Sequence, residues 1–277
     1  GEMEDFNYEG PPWRKYENDI TTVVIESGVL TIGDNAFESC SSLTSVTIPD
    51  SVTSIGDYAF NSCTAMTSVI IPESVTSVGE YAFVYCTSLT DITVASDNSS
   101  FTSIDGVMFN KQENTLIQYP AGKEETNYTI PDSVTTLGDG AFGGCIYLTN
   151  IIIPDSVIDL GLETFSDCTA LTNIVIPDTV PAIEMYEFYN CSALTSVTIG
   201  HGVQIIAWFA FGNCTSLKSL IIPDSVESIS DCAFRRSSSL TNVIIEGNVT
   251  SIGEFAFADC SALERMTIPD SVKTVGQ

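Results

Sequence analysis

The chain repeats itself at a constant step of twenty-three residues, interrupted once by a longer step between Val94 and Ile130. Three columns share this spacing and this interruption: isoleucine or valine at Ile48, Ile71, Val94, Ile130, Ile153, Ile176, Ile199, Ile222, Ile245 and Ile268, phenylalanine at Phe37, Phe60, Phe83, Phe142, Phe165, Phe188, Phe211, Phe234 and Phe257, and cysteine at Cys40, Cys63, Cys86, Cys145, Cys168, Cys191, Cys214 and Cys260. A period of this length is typical of a solenoid, in which each repeat forms one coil and stacked coils bury each other's apolar residues.

One repeat reads LTSVTIPDSVTSIGDYAFNSCTA at residues 43–65. The alternating apolar residues of 43–48 predict a short strand, which Pro49 ends by removing a backbone donor. Gly56 indicates a tight corner. We expect Asp57 to cap a helical turn that carries the phenylalanine and cysteine columns inward. Stacked repeats then form a parallel sheet on one side.

The pattern L-x-x-V-x-I-P-x-S-V-x-x-I-G-x-x-A-F-x-x-C resembles the leucine-rich repeats of the BspA-like family of bacterial surface proteins, over residues 20–277. The resemblance implies a leucine-rich-repeat solenoid, mainly β with short helical or 3-10 turns. Its coils would stack into a right-handed curved array with the parallel sheet on the concave side. The resemblance also implies export to the bacterial cell surface and adhesion to host or microbial macromolecules. The motif is specific for the fold and not for a ligand.

Residues 1–19 lie outside the period, and residues 20–277 form the repeat array. The first segment is expected to be an N-terminal cap or the remnant of a preceding module. Its aromatic residues could cover the open end of the first coil: Phe6, Tyr8, Trp13 and Tyr16. Residues 263–277 read as a truncated final repeat. We expect the protein either to continue there or to self-associate through this uncapped end.

The long coil at residues 89–124 contains two strand-like segments around an NKQEN turn, which predicts a hairpin insert. The insert either replaces one side of a single coil or presents a contact surface that carries Lys111, Lys123 and Tyr119.

The charge balance excludes several classes of partner. Nine Lys and Arg against 36 Asp and Glu give a net charge of −27, which opposes binding to nucleic acid and to anionic membrane surfaces. No apolar run is long enough for a membrane span, so no membrane insertion is expected.

Residue types that carry catalysis or hold metals are sparse. The single histidine, His201, lies in a turn, and no C-x-x-C pair supports a zinc site. We therefore predict no catalytic residue, no metal site and no cofactor. Eight of the nine cysteines fit a buried column, and Cys232 falls outside it as a candidate exposed thiol.

Acidic residues form a column beside the corner glycine of the repeat: Asp34, Asp57, Glu80, Asp139, Asp231 and Glu254. Asp has a local role in turns and caps, so this column needs no ligand. A ladder of calcium sites is the alternative, although no EF-hand-like run supports it.

This acid column is interrupted in three consecutive coils by Leu162, Met185 and Trp208. Tyr186, Phe209 and Tyr189 lie beside these positions in the sequence. A contiguous exposed apolar patch usually marks an interaction site, and Trp, Met and Tyr are enriched at interface centres. The alternative is a local repacking that covers the column, because Glu184 replaces the corner glycine here.

The outward face of the predicted sheet is the other candidate site, and the resemblance to leucine-rich-repeat proteins, which commonly bind through this concave face, makes it the first choice for a generic binding surface. It carries few charges and is rich in β-branched and amide residues: Ile70, Ile152, Val175, Thr198, Ile221, Ile244, Asn150 and Asn173. Such a strip suits an extended protein segment or a flat partner surface, although β-branched residues are also simply good strand formers.

These observations together predict a non-enzymatic, secreted or cell-surface binding module with a protein ligand. Two rival hypotheses remain at this point. One is a carbohydrate-binding module that stacks glycans on Trp208, Tyr186 and Tyr189, and the other is a structural spacer without a ligand.

Overall fold

A computed structural model describes residues 1–6 and 10–276. The chain divides into two compact units: Gly1–Glu124 with Gly138–Cys145, and Glu125–Leu137 with Ile146–Gln277. In each unit, strands of successive coils pair in parallel exactly one repeat apart, as Thr22 with Ser45 and Asn127 with Asn150. The predicted leucine-rich-repeat solenoid with stacked coils and parallel strands is therefore confirmed.

The strands of the first unit are Thr22–Val24, Thr31–Ile32, Ser45–Thr47, Ser54–Ile55, Ser68–Ile71, Ser77–Val78, Asp91–Val94, Phe101–Ile104, Val107–Asn110 and Thr115–Gln118. Those of the second unit are Asn127–Thr129, Thr136–Leu137, Asn150–Ile152, Asn173–Val175, Ala182–Ile183, Ser196–Thr198, Ile205–Ile206, Ser219–Ile222, Ser228–Ile229, Asn242–Ile245, Ser251–Ile252, Arg265–Thr267 and Thr274–Val275.

Most regular coils contribute two strands rather than the single strand that we expected, whereas the coil that begins with Asn150–Ile152 has an isolated bridge at Asp159 in place of the second strand. The longer strand has three or four residues, and the two-residue strand lies directly before the corner. In the second unit, five of these short strands form one parallel sheet, from Ala182–Ile183 to Thr274–Val275. Each coil is therefore hydrogen-bonded to its neighbours on two sides.

The expected helical turn after the corner is wrong. Within the described residues the sole helix is the 3-10 turn Arg14–Tyr16. After the corner, Tyr58 (φ 56°) and Tyr186 (φ 55°) adopt the left-handed backbone conformation. The Tyr58 N–H donates to the Glu80 carbonyl of the next coil (2.9 Å), whereas the Asn61 N–H donates to the Tyr58 carbonyl within the turn (3.1 Å), so the turn is bonded both to the next coil and to itself.

The core of each unit is a ladder of parallel phenylalanine rings. Phe37 and Phe60 stack with ring centroids 5.3 Å apart, and in the second unit Phe188 stacks on Phe211 at 5.1 Å. Each fully buried ring contributes about 1.5–3 kcal/mol to the free energy of unfolding through the hydrophobic effect. The ladder therefore holds the turns of successive coils in register.

The N-terminal segment packs on the first coil. Trp13 stacks on Phe37 at 5.6 Å and donates from its indole nitrogen to the Ala36 carbonyl (2.8 Å). Phe6 contacts the Trp13 ring edge-on at 5.5 Å, and Tyr16 remains half exposed. Tyr8, which we also expected at this end, lies outside the described residues. The segment thus continues the phenylalanine ladder by one ring.

In the long coil, Val107–Asn110 pairs antiparallel with both Phe101–Ile104 and Thr115–Gln118. Tyr119 is fully buried and stacks on Phe142 at 5.3 Å. The expectation that Tyr119 belongs to a protruding contact surface is therefore wrong, because its ring continues the core ladder of the first unit.

Candidate functional site

The acid column has a structural role in the stacking of coils. The Asp57 N–H donates to the Asp34 carboxylate (2.7 Å), and the Glu80 N–H donates to the Asp57 carboxylate (2.8 Å). The same contact joins the Glu254 N–H to Asp231 (2.7 Å). Asp57 therefore accepts from the next coil, and its predicted role as a helix cap is wrong because no helix follows it.

The corner glycine belongs to the same contact. A Cβ atom at Gly79 would lie 2.3 Å from the Asp57 carboxylate oxygen, and one at Gly253 would lie 2.4 Å from that of Asp231. Real Cβ atoms do not approach other atoms so closely. The backbone nitrogens of Asp57 and Asp231 lie as close as their carboxylates, at 2.5 and 2.4 Å from these Cβ positions. The corner glycine therefore fits against both the side chain and the backbone of the aspartate, and we call this aspartate–glycine pair the carboxylate clamp.

The clamp is absent from three consecutive coils of the second unit. Leu162, Met185 and Trp208 (the apolar column) offer no carboxylate to the following coil. In each case the corner of the next coil also lacks glycine: it carries Glu184, Ala207 or Ser230 instead. The two substitutions occur together, as expected if the clamp is what excludes a side chain at the corner.

The apolar column is partly exposed. Leu162 is 36% exposed, and Met185 and Trp208 are each 38% exposed. The Glu163 N–H donates to the Met185 carbonyl and the Tyr186 N–H to the Trp208 carbonyl, both at 3.0 Å. These bonds place the three residues at equivalent positions in successive coils.

Four rings pack together beside the apolar column, and we call Tyr186, Tyr189, Trp208 and Phe209 the aromatic cluster. Trp208 contacts Phe209 (4.8 Å between centroids) and Tyr186 (4.9 Å), both edge-on. Tyr186 stacks on Phe209 at 5.5 Å, and Tyr189 meets Tyr186 edge-on at 5.3 Å. All the residues that we predicted for this site therefore lie in one region of the second unit.

A glycine makes room for the cluster. A Cβ atom at Gly212 would lie 2.6 Å from the Phe209 ring and 3.1 Å from the Tyr189 ring. Desolvation by the neighbouring rings, together with the Glu163 carboxylate, raises the pKa of the Tyr186 hydroxyl. Tyr186 therefore stays neutral throughout the physiological range, as an aromatic contact surface requires.

Sequence reasoning missed Glu187, which lies in the same coil as Tyr186 and Tyr189. Its side chain is fully buried, at a repeat position that carries alanine in most other coils, among them Ala36, Ala59, Ala210 and Ala233. The break in this alanine column was the available signal. A second missed feature is a side-chain ladder in the same coils, in which the Asn213 amide donates to the Asn190 amide oxygen (2.6 Å).

The sheet-face candidates divide between the two units. Ile70 belongs to the first unit, and the others belong to the second. Ile70, Ile152, Val175 and Ile221 are 52–64% exposed, whereas Ile244 and Asn150 are half-buried. Asn150 pairs in register with Asn173, and Val175 with Thr198, so these side chains form columns across parallel strands.

The cysteines are buried, and several of their thiols donate to a backbone carbonyl of an earlier coil. The Cys63 thiol donates to the Phe37 carbonyl (3.2 Å), and the Cys191 thiol donates to the Phe165 carbonyl (3.2 Å). Burial raises the thiol pKa, for Cys260 to about 11. The proposal that Cys232 is an exposed thiol is wrong: it is only 6% exposed, because its short side chain ends nearer the backbone than the tyrosines of that column.

Elsewhere in the described part of the chain, the side chains that could catalyse a reaction or hold a metal do not form a site. His201 is exposed, with its Nδ1 atom 3.8 Å from an Asp224 carboxylate oxygen. Within residues 1–6 and 10–276, no three His, Cys, Asp or Glu side chains are grouped so that they could hold a metal ion. None of the helices in this described part has the length and apolar character of a membrane span.

Comparisons with known proteins agree with this geometry. The BspA type leucine rich repeat region matches the chain in six copies, over residues 15–125, 121–238 and 181–277. A leucine-rich repeat protein from Eubacterium ventriosum ATCC 27560 is 26% identical, with a TM-score of 0.76 over 99% of this chain and 86% of that chain.

A leucine rich cell surface protein from Faecalibacterium prausnitzii A2-165 is 32% identical, with a TM-score of 0.68; 95% of this chain matches 61% of that chain. The pneumococcal vaccine antigen PcpA shares the fold at 24% identity and a TM-score of 0.65, over 93% of this chain and 63% of that chain. No curated protein matches the sequence significantly. The family match spans nearly the whole chain, which therefore belongs to the BspA-type leucine-rich repeat family.

Proposed function

We propose that this chain is a non-enzymatic binding module of the bacterial cell surface, which captures a protein through the aromatic cluster and the adjoining apolar column. One observation carries the proposal. Three consecutive coils exchange the carboxylate clamp for large apolar side chains, and one of these, Trp208, packs with three further rings on a molecule of net charge −27.

The energetics of interfaces support this choice over the sheet face. Trp and Tyr dominate binding hot spots because they bury a large area with few rotatable bonds. The sheet-face residues are β-branched, which strand formation alone explains. The aromatic cluster has no such explanation, because the repeat stacks without it wherever the clamp is present.

A surface location is supported by the family and by the likeness to a leucine rich cell surface protein. A non-catalytic role is supported by the chemistry of the side chains. General acid–base catalysis needs a titratable group poised within reach of a substrate. The single histidine is exposed on a turn, and burial raises the pKa of the Cys214 and Cys260 thiols, which disfavours the reactive thiolate there.

The test is a direct comparison of the two candidate surfaces. Purified extracellular-matrix and serum proteins are arrayed and probed with the wild-type chain, with Trp208→Ala, and with a sheet-face variant that carries Ile152→Lys, Val175→Lys and Ile221→Lys. We expect Trp208→Ala to weaken binding by about tenfold or more, as for an interface hot spot, and the folded sheet-face variant to bind like wild type.

The opposite pattern would transfer the site to the sheet face. Absence of binding by every form of the chain would favour a structural spacer instead. Folding of each variant is checked by circular dichroism and thermal unfolding before binding is compared.

A further inference from the structure

The coils that carry the aromatic cluster are acidic. Between Gly161 and Leu217 the sequence has no lysine or arginine, and it has five carboxylates: Glu163, Asp167, Asp178, Glu184 and Glu187. Glu163 lies close enough to Tyr186 to contribute to the raised pKa of that hydroxyl. A partner that docks here meets a negative potential, which favours a cationic segment.

The rings offer the matching short-range interaction. The face of an aromatic ring attracts a cation within about 6 Å of its centroid, and tryptophan does so most strongly. Arginine gains more than lysine at such a surface, because its planar guanidinium can stack on the ring and is more weakly hydrated.

The chain contains one example of this contact at an equivalent position. The Arg235 guanidinium lies 5.9 Å from the centroid of the Phe255 ring. Phe255 occupies the same place in its coil as Phe209 and Tyr186, because whole repeats separate the three residues. All three have the same left-handed backbone conformation, with φ between 53° and 57°. This position in the repeat can therefore present a ring to a guanidinium group.

We propose that the aromatic cluster binds an arginine side chain of an extended, cationic segment of the partner protein. The proposal rests on the function proposed above and names the chemistry of the partner. The cluster supplies cation–π contacts, and the surrounding carboxylates supply the long-range attraction. The partner segment adds its own apolar contacts to Leu162 and Met185.

The experiment uses a short capped peptide that carries arginine between glycine and serine, with a copy in which neutral citrulline replaces arginine. Binding to the whole chain is followed by fluorescence anisotropy of the labelled peptide at low and physiological salt. We expect saturable binding of the arginine peptide and a loss of roughly tenfold or more for the citrulline copy, as for a desolvated cation–π contact.

Three variants locate the binding. Trp208→Ala should weaken it about tenfold, and Met185→Lys should weaken it by repulsion without removing a ring. Tyr58→Ala is the matched control: Tyr58 is also 38% exposed and stacks on Tyr81 at 4.9 Å, but its coil keeps the carboxylate clamp. We expect this control to bind like wild type.

Several outcomes would overturn the inference. Unchanged binding in both Tyr58→Ala and Trp208→Ala would mean that general charge attraction holds the peptide, and equal losses in both would mean that the aromatic cluster is not a specific site. Equal binding of the arginine and citrulline peptides, with both lost in Trp208→Ala, would reject the cationic partner and leave the protein-binding function intact. Saturable binding of neutral oligosaccharides that Trp208→Ala abolishes would instead assign the cluster to a carbohydrate.

Discussion

The corners of the first unit and the corners at residues 161–230 of the second unit occupy the same place in the repeat but are built differently. In the first, Asp34 and Asp57 accept the backbone N–H of the following coil, and Gly56 and Gly79 leave the space that this requires. In the second, apolar side chains replace the carboxylates, and the corners that follow them, Glu184, Ala207 and Ser230, carry a Cβ atom.

The difference shows that a surface of this fold changes in coupled steps. At the clamped corners, both the carboxylate oxygen and the backbone of the preceding coil lie where the Cβ atom would be. In the coils that follow Leu162, Met185 and Trp208 the corner carries a side chain, so the carboxylate and the glycine are lost together. The coils are still held by the phenylalanine ladder, which continues unchanged through Phe165, Phe188 and Phe211.

The largest expected effect comes from placing a side chain at a clamped corner. Gly79→Ala forces its Cβ atom to within 2.3 Å of the Asp57 carboxylate and 2.5 Å of the Asp57 backbone nitrogen. We expect the free energy of unfolding to fall by about 1–3 kcal/mol, as for other overpacked sites. Urea unfolding followed by circular dichroism measures it.

The coupling is tested by copying the unclamped arrangement into the first unit. Asp57→Met combined with Gly79→Ala reproduces Met185 and Ala207, and should cost about 1 kcal/mol less than the sum of the single variants. Ala207→Gly is the control and should cost only about 0.5–1 kcal/mol, from added chain freedom. If the double variant loses as much free energy of unfolding as the two single variants together, the two positions are not coupled.

The next largest loss of stability is expected from changes in the cysteine column, which is the same in both regions. Cys86 and Cys191 donate to the carbonyls of Phe60 and Phe165 at 3.1 and 3.2 Å. Changing either cysteine to alanine removes one of the two donors to a buried carbonyl, which keeps the backbone N–H of Cys63 or Cys168, and should cost about 1–2 kcal/mol. Serine should cost less, because Ser237 already makes this bond naturally to Phe211 (2.8 Å).

Equal losses for Cys86→Ala and Cys191→Ala would confine the difference between the two regions to the surface. A much larger loss for Cys191→Ala would show instead that the core of the unclamped coils also depends more strongly on this bond. Thermal unfolding of the four variants makes the comparison.

The same thiols predict a dependence of stability on alkaline pH. Burial raises the pKa of Cys40 to about 12 and that of Cys260 to about 11, from an ordinary value of 9.0. The folded state therefore keeps this contribution to its stability below pH 9 and loses it as the pH rises from 9 toward 11. Cys260→Ser should reduce the loss in urea unfolding measured between pH 8 and 11, and an unchanged slope would contradict the assignment.

The smallest effect is expected from the clamp bond itself. Asp57→Ala removes the acceptor of the Glu80 N–H, but this corner is exposed and water can replace the carboxylate. We expect a loss of about 0.5–1.5 kcal/mol, and less for Asp57→Asn, which keeps an acceptor oxygen. The reverse change, Leu162→Asp, should bring no gain, because Glu184 occupies the following corner. A gain in stability in Leu162→Asp would contradict the difference described between the two sets of corners.

Periodicity predicted the parts of the fold that depend on spacing. Phe60, Cys63 and Ile71 are buried as expected, because residues at one place in the repeat become neighbours when coils stack. The short strands were missed, because two residues such as Ser54 and Ile55 carry no alternating pattern. The helical turn was predicted wrongly, because the turn after Gly56 hydrogen-bonds to the next coil and local sequence does not show that partner.

The sequence revealed the candidate site through a break in the acid column. It did not reveal how the side chains of the site are arranged. The sequence shows that Trp208 stands where other coils carry a carboxylate. It does not show that the Trp208 ring meets its neighbours edge-on, that Gly212 makes room for the cluster, or that Cys232 is covered. These features depend on how side chains fill the space between coils, which varies with each local substitution.

By itself, the sequence determined the coil length, the stacking order and the columns, because a strict period leaves one register in which the repeated phenylalanine and cysteine columns stack in the core. Only the tertiary structure decided what the exceptional residues do. The aspartates accept hydrogen bonds from the following coil, and the corner glycines leave the space for that contact. The rings of Tyr186, Trp208 and Phe209 pack across coils. Such contacts join residues that lie about one repeat apart in the chain. Local sequence patterns do not predict them, because they depend on which side chains are close in the folded structure.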